Sequence, residues 1–209
     1  MSTKAPARKP RAAHLGPDRR RPLVLDTALR IAVEDGIGSV SIASVASAMG
    51  VTRPVVYACF DDRVVLLDAL LNRETGLLLE STLGALHAAS GDDPEQVFTD
   101  GFAAFLGAVE ARPDSWRLVF DTDRDPEIAR SVADVRRVVV DASTRWVAPA
   151  LARWWNIADF DRKLPALIES FVSACEAAAR VMLDPSNNLT AADLAPLYGR
   201  MTTAAYRAA

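Results

Sequence analysis

Apolar residues recur along this chain at three- and four-residue intervals, and no segment alternates convincingly with a period of two. That spacing lines one face of an α-helix, so the chain reads as all-α, with about nine helices. Val24, Ala28 and Ile31, flanked by Leu25, Leu29 and Ala32, mark a first helix opening near Arg20 to Pro22. Proline suits a first turn because its missing N–H would be unpaired there. Gly36 stands where a helix stops. A second, two-turn helix carries Ile42, Val45, Ala46 and Met49 behind Ser41, a good N-cap. Gly50 ends it. Thr52 is the predicted cap of a third helix, bonding the Val55 N–H because Pro54 has none, with Val56 and Phe60 facing the core. Arg53, Pro54, Val55 and Tyr57 are left outward or at the rim.

A long fourth helix follows, capped by Asp61 and striped with leucines as far as about Ala89. Ser90 to Asp93 break it. A fifth helix opens at Pro94, and a short apolar sixth spans Ser115 to Phe120. After the polar stretch Asp121 to Asp125, a seventh runs from Pro126 to about Trp155. The eighth covers Leu164 to Leu183, and the ninth runs from Ala191 to about Ala208 with Thr190 as its cap.

Net charge is −3 over 209 residues, which by itself argues against a nucleic-acid binder. The distribution reverses that. Residues 1–30 hold 8 basic side chains against 2 acidic, and residues 64–209 hold 14 against 21. A basic head on an acidic body can hold a polyanion at one end; a solvated tail has the same composition. The first 17 residues, rich in Ala, Pro, Lys and Arg, have almost nothing apolar to bury and are expected to be disordered in isolation. There is no apolar run long enough to span a membrane and no signal-peptide core, which predicts a cytoplasmic protein. Cys59 and Cys175 are too far apart for a disulfide framework or zinc pattern and read as reduced, buried thiols.

A helix, a short turn containing glycine and a second helix make the outline of a helix-turn-helix. The spaced set Gly36, Ser41, Val45-Ala46, Met49-Gly50-Val51-Thr52, Val56-Tyr57, Phe60 and Leu66 makes the outline more specific. It resembles the TetR family of bacterial transcriptional repressors, closely over about Arg20 to Arg73. The family's Lys-Glu at the start of the fourth helix is Arg63-Val64 here, and Pro54 replaces a glycine or small residue. Cys59 stands where a larger polar or aromatic residue is usual.

The resemblance implies a third helix lying in the major groove of operator DNA. Arg53 is the leading base-reading candidate, because a guanidinium bonds guanine O6 and N7 together; a phosphate contact is its competing role. Pro54 and Val55 could touch thymine methyls. Tyr57, Thr52, Ser41 and Arg63 suit phosphates, with core packing as the alternative for Tyr57. Arg19, Arg20 and Arg21 are read as an arm ahead of the first helix that reaches phosphates or the minor groove. The domain plan is an arm over 1–19, a helix-turn-helix over 20–63, and an effector-binding and dimerisation body over 64–209. The family implies a homodimer built on the last two helices. The run Ala174 to Ala179 would allow their close approach, unless it simply completes the core.

The resemblance also implies a ligand cavity between the fourth, fifth, seventh and eighth helices. Phe102, Phe105, Trp116, Phe120 and Trp146 are its candidate lining, although aromatics at helical spacing are ordinarily core. The effector is expected to be a small hydrophobic or amphipathic molecule that shifts the protein off its operator. No cofactor and no metal site is expected. His14 and His87 have no metal-ligand spacing, and Asp121, Asp123, Asp125 and Glu127 lack the glycine and terminal glutamate of a calcium loop. Two other readings remain: a helix-turn-helix protein without an effector, and, more weakly, an all-helical enzyme lacking any recognisable catalytic motif. Deleting residues 1–17 is expected to flatten the dependence of DNA affinity on log salt, because fewer counterions are released. An unchanged slope would remove the arm from the binding site.

Overall fold

The computed structural model describes residues 16–88, 91–120 and 126–209. Among them are nine α-helices and no strand: α1 Pro17–Asp35, α2 Ile42–Met49, α3 Arg53–Tyr57, α4 Arg63–Ala88, α5 Pro94–Ala111, α6 Pro113–Phe120, α7 Pro126–Trp154, α8 Phe160–Leu183 and α9 Ala191–Arg207. The arm up to residue 15, with His14, and the acidic stretch Asp121 to Asp125 lie outside the described residues, as does the side chain of His87. The chain divides into two compact units, the first ending at Leu70 and the second beginning at Leu71. The boundary falls inside α4.

In the first unit Val24, Ala28 and Ile31 of α1, Val45 and Ala46 of α2, Val56, Phe60 and Leu66 are all buried. α1 begins at Pro17, about one turn before the expected start. Pro17, following Gly16, takes the first-turn position, and Pro22 is carried inside the helix on its exposed side. Gly36 stops α1 at φ +84°, a backbone region that a side chain disfavours. Ser41 caps α2 as its sequence suggests. Its hydroxyl accepts from the Ser44 N–H at 3.0 Å, and Ser44 Oγ accepts from the Ser41 N–H at 2.9 Å.

Two caps differ from expectation. Thr52 makes no side-chain cap; the Val55 N–H goes instead to the Thr52 carbonyl at 3.0 Å. At α4 the capping carboxylate is Asp62, which accepts the Val65 N–H at 2.8 Å, and not Asp61. α3 also ends at Tyr57, short of Phe60. The Cys59 and Phe60 N–H groups both return to the Val56 carbonyl, at 2.8 and 3.0 Å, which closes the helix in a tight turn.

In the second unit α9 lies along α5, with α8 against both and against α7. Its core includes Phe98, Phe102, Leu106, Leu151, Ile168, Leu194 and Tyr206. Thr190 and Asp193 form a reciprocal capping box at the start of α9. The fit of α9 on α5 is closest at Gly199, where an added Cβ would stand 2.3 Å from Thr99 Oγ1 and 2.9 Å from the Thr99 Cα and N. Backbone atoms cannot give way as a rotamer can, so the helices must separate to admit a methyl group. Gly199→Ala is expected to lower stability by about 1–3 kcal/mol through overpacking. The measurement is the urea unfolding midpoint, and an unchanged midpoint would show that the α5–α9 contact is looser than described.

Candidate nucleic-acid interface and candidate ligand cavity

The turn between α2 and α3 leaves one end of α3 open to solvent. Thr52, Arg53 and Pro54 are exposed, Val55 is half-buried, and Tyr57 is 50% exposed. An exposure of that size excludes the core-aromatic alternative for Tyr57. Val56, between them, is fully buried and fixes the rotation of the helix. The outward side of α3 therefore presents a guanidinium, a proline ring and a phenol, and the guanidinium and the phenol are donors a duplex edge or phosphate can use.

The other candidate arginines have different surroundings. Arg19, Arg20 and Arg21 belong to α1 itself and not to an arm before it. Arg19 is exposed, whereas Arg20 is 92% buried, at 8% exposure, and so is withdrawn from a phosphate. Arg21 donates to the Cys59 carbonyl, and its guanidinium lies 4.3 Å from the Phe60 ring centroid. It ties α1 to the end of α3. Arg63 donates through Nε to the Val40 carbonyl at 2.8 Å and through a terminal nitrogen to Ile37 at 3.3 Å. It secures the α1–α2 connection to the start of α4. Ser41 spends its hydroxyl on the α2 cap. These side chains build the frame that aims α3, and Thr52, Arg53, Pro54, Val55 and Tyr57 remain as the outward set. No sequence signal distinguishes an arginine bonded to a backbone carbonyl of another element from one left free.

The second unit encloses a cavity of about 320 Å³, at the lower end of the range for ligand pockets. All five candidate aromatics, Phe102, Phe105, Trp116, Phe120 and Trp146, line it. The walls come from α4, α5, α7 and α8, as expected, and also from α6, which contributes Trp116, Val119 and Phe120. Sequence reasoning passed over Phe98 and Phe171, which join the same lining. Trp116 meets Phe105 edge-on at 5.3 Å and Phe120 at 5.7 Å, a geometry that favours aromatic attraction. Cys175 lies in the wall, and burial pushes its thiol up, away from thiolate reactivity. One polar link joins the cavity wall to α4. The buried Glu74 carboxylate accepts from Ser115 Oγ at 2.5 Å and from Arg73 Nε at 2.7 Å, and Ser115 precedes Trp116.

Charged groups gather on one side of the cavity. Arg136 of α7 donates through Nε to Glu176 of α8 at 2.9 Å and through a terminal nitrogen to Glu169 at 3.1 Å. The bond from Arg136 holds the Glu169 carboxyl below its ordinary range. Arg180 of α8 places its guanidinium 4.7 Å from the Phe120 ring centroid.

Residues 24–70, which span α2, α3 and most of α1, match the family described as bacterial regulatory proteins, tetR family. The HTH-type transcriptional activator FasR of Mycolicibacterium smegmatis is 28% identical over 134 residues, which is 63% of this chain and 60% of that relative. A TetR-like transcriptional regulator from a Rhodococcus species superposes with a TM-score of 0.69 at 19% identity, over 95% of this chain and 98% of the other. The fatty acid degradation regulator FadR from Bacillus halodurans gives 0.69 at 11% identity, over 88% and 94%. At such identities the structural likeness speaks for the fold, and the matched N-terminal segment speaks for its kind. Among the described residues no helix is long and apolar enough to cross a membrane. Residues 24–70 thus carry the helix-turn-helix that the family of bacterial regulatory proteins, tetR family, describes, on a fold shared with TetR-like regulators.

Proposed function

We propose that this regulator is a homodimeric repressor, released from a palindromic operator by a small hydrophobic or amphipathic effector. The observation that carries the reading is the cavity itself. Its walls come from five helices and include all five aromatic candidates, and one of those helices, α4, also begins in the first unit. A filled core would have favoured a regulator without an effector. An effector acts only through its differential affinity for the DNA-bound and free states, and the α4 wall is a part that can differ between them. The relative named as a transcriptional activator supports a second reading, in which effector or protein favours transcription. Deleting the gene separates the two: target transcripts rise for a repressor and fall for an activator.

In this reading Arg53 reads a base edge, Pro54 and Val55 make apolar contacts, and Thr52 and Tyr57 hold phosphates. Arg19 and the segment before it add positive charge. Arg53→Ala is expected to reduce operator binding by about 1–3 kcal/mol and to relax preference at one base position. Fluorescence anisotropy on operator and scrambled duplexes measures both. Equal weakening on the two duplexes would assign Arg53 to a phosphate instead.

The dimer face is the outward side of α8 and α9. Leu197 is 41% and Met201 56% exposed, and Ala204, Ala205 and Ala208 continue that apolar side along α9. Ala166, Ser170 and Ser173 are exposed small residues of α8, whereas Ala178 and Ala179, at 0%, belong to the monomer's own core. A two-fold pair would set its recognition helices roughly 34–36 Å apart, one turn of DNA. Met201→Glu introduces a charge at the centre of that face without touching the monomer's core. Sedimentation velocity should then show a monomer that retains its helical circular dichroism and binds operator weakly; a variant that stays dimeric would move the interface elsewhere.

A further inference from the structure

The cavity's polar groups discriminate among effectors more finely than its volume does. Its walls take in half of the chain's aromatic residues, seven of fourteen, so most of a bound molecule meets ring faces and edges. The hydroxyls of Thr75 and Thr82 are spent on their own helix, donating to the Leu71 and Leu78 carbonyls at 2.5 and 2.8 Å. Of the two cations in the lining, Arg136 is consumed by Glu176 and Glu169. Arg180 is not. Among the described residues no carboxylate lies within ion-pair distance of it, and Glu176, one turn earlier on the same helix, is turned to Arg136. The guanidinium rests on the face of Phe120, which is itself part of the wall. A fixed, planar, five-donor cation at the edge of an apolar cavity is a seat for a carboxylate, which it can bond with two parallel N–H donors. Glu176 in the same lining shares the single charge of Arg136 with Glu169, so that trio keeps one net negative charge, and its repulsion grows with every negative charge on the head.

We propose that the effector is an amphipathic monoanion, a carboxylate or its equivalent, with the head on Arg180 and an apolar chain or aryl group among the aromatic walls. The proposal rests on the reading of this cavity as the effector site and adds the charge of its ligand. A polyanionic nucleotide-bearing molecule and a cationic amphiphile are both disfavoured.

Three ligands with one tail and different heads test it on the full-length protein: decanoate, decanol and decyltrimethylammonium. Trp116 and Trp146 in the wall make tryptophan fluorescence a direct readout, with calorimetry as a check. Decanoate should bind at least about tenfold more tightly than decanol, a difference of about 1.4 kcal/mol. The cation should bind least. Arg180→Gln should bring decanoate down to the affinity of decanol without altering decanol itself, and Arg180→Lys should keep most of the preference. Arg180 is exposed, and unchanged decanol binding shows that the variant is folded. If the wild type binds all three heads equally, or if the preference survives in Arg180→Gln, the anionic head is wrong while the cavity stands as an amphiphile site. If the cation binds best, Glu176 and not Arg180 selects the head. If none of the three binds, this inference and the reading of the cavity as an amphiphile site fall together.

Discussion

The second unit depends on the packing around one ring. Phe98 of α5 is buried and meets four other rings: Trp146 at 6.3 Å, Trp154 at 6.0 Å, Phe171 at 6.0 Å and Tyr206 at 5.5 Å. These come from α7, α8 and α9, so a single side chain brings three helices to a fourth. The contacts are edge-on or tilted, the arrangements in which aromatic quadrupoles attract. Tyr206 adds direction by donating its hydroxyl to the Leu167 carbonyl at 3.0 Å. The same Phe98 ring forms part of the cavity wall. Rigidity on one side of that ring and open space on the other is the arrangement a sensor needs, because a preformed site spends less binding energy on ordering itself.

The helix α4 answers to two sets of constraints. At its start, Asp62 caps it and Arg63 holds it to the Val40 and Ile37 carbonyls. Further along, Thr75, Leu78 and Thr82 face the cavity, and the Glu74 carboxylate is buried at 1% exposure with Ser115 and Arg73 as donors. A buried carboxylate left without its donors is strongly unfavourable, so α4 and α6 resist moving independently at that point. Coupling between a ligand and DNA needs an element both can bias. α4 begins in the first unit and lines the cavity of the second.

Much of this was legible in the sequence, for identifiable reasons. The capping residues Ser41 and Thr190 and the stop at Gly36 act over three or four residues, so local spacing reveals them. The five aromatic candidates came from the family resemblance, since helical periodicity alone turns an aromatic inward without separating a cavity wall from a filled core. What escaped was long-range. Arg21 and Arg63 looked like phosphate ligands, and both bond backbone carbonyls, 38 and 23 residues away in sequence. A carbonyl has no sequence signature, since every residue carries one. Thr52 and Asp61 failed as caps by geometry: the Thr52 carbonyl took the bond expected of its side chain, and the chain entered α4 one residue later. α6 was absent from the expected wall helices, although two of its residues, Trp116 and Phe120, stood among the candidates for the lining.

The close seat of Gly199 on Thr99 has a mechanical consequence. Most helix pairs are separated by a layer of side chains, and that layer can absorb a small displacement by changing rotamers. Between α5 and α9 there is no such cushion at this point, because glycine meets backbone directly. α5 is a cavity wall through Phe98, Gly101, Phe102 and Phe105, and α9 turns Leu197 and Met201 outward on its other side. A shift of the wall would therefore pass through α9 with little play and reappear at the outer stripe. The linkage is stiff where the cavity wall and the outer stripe of α9 lie back to back.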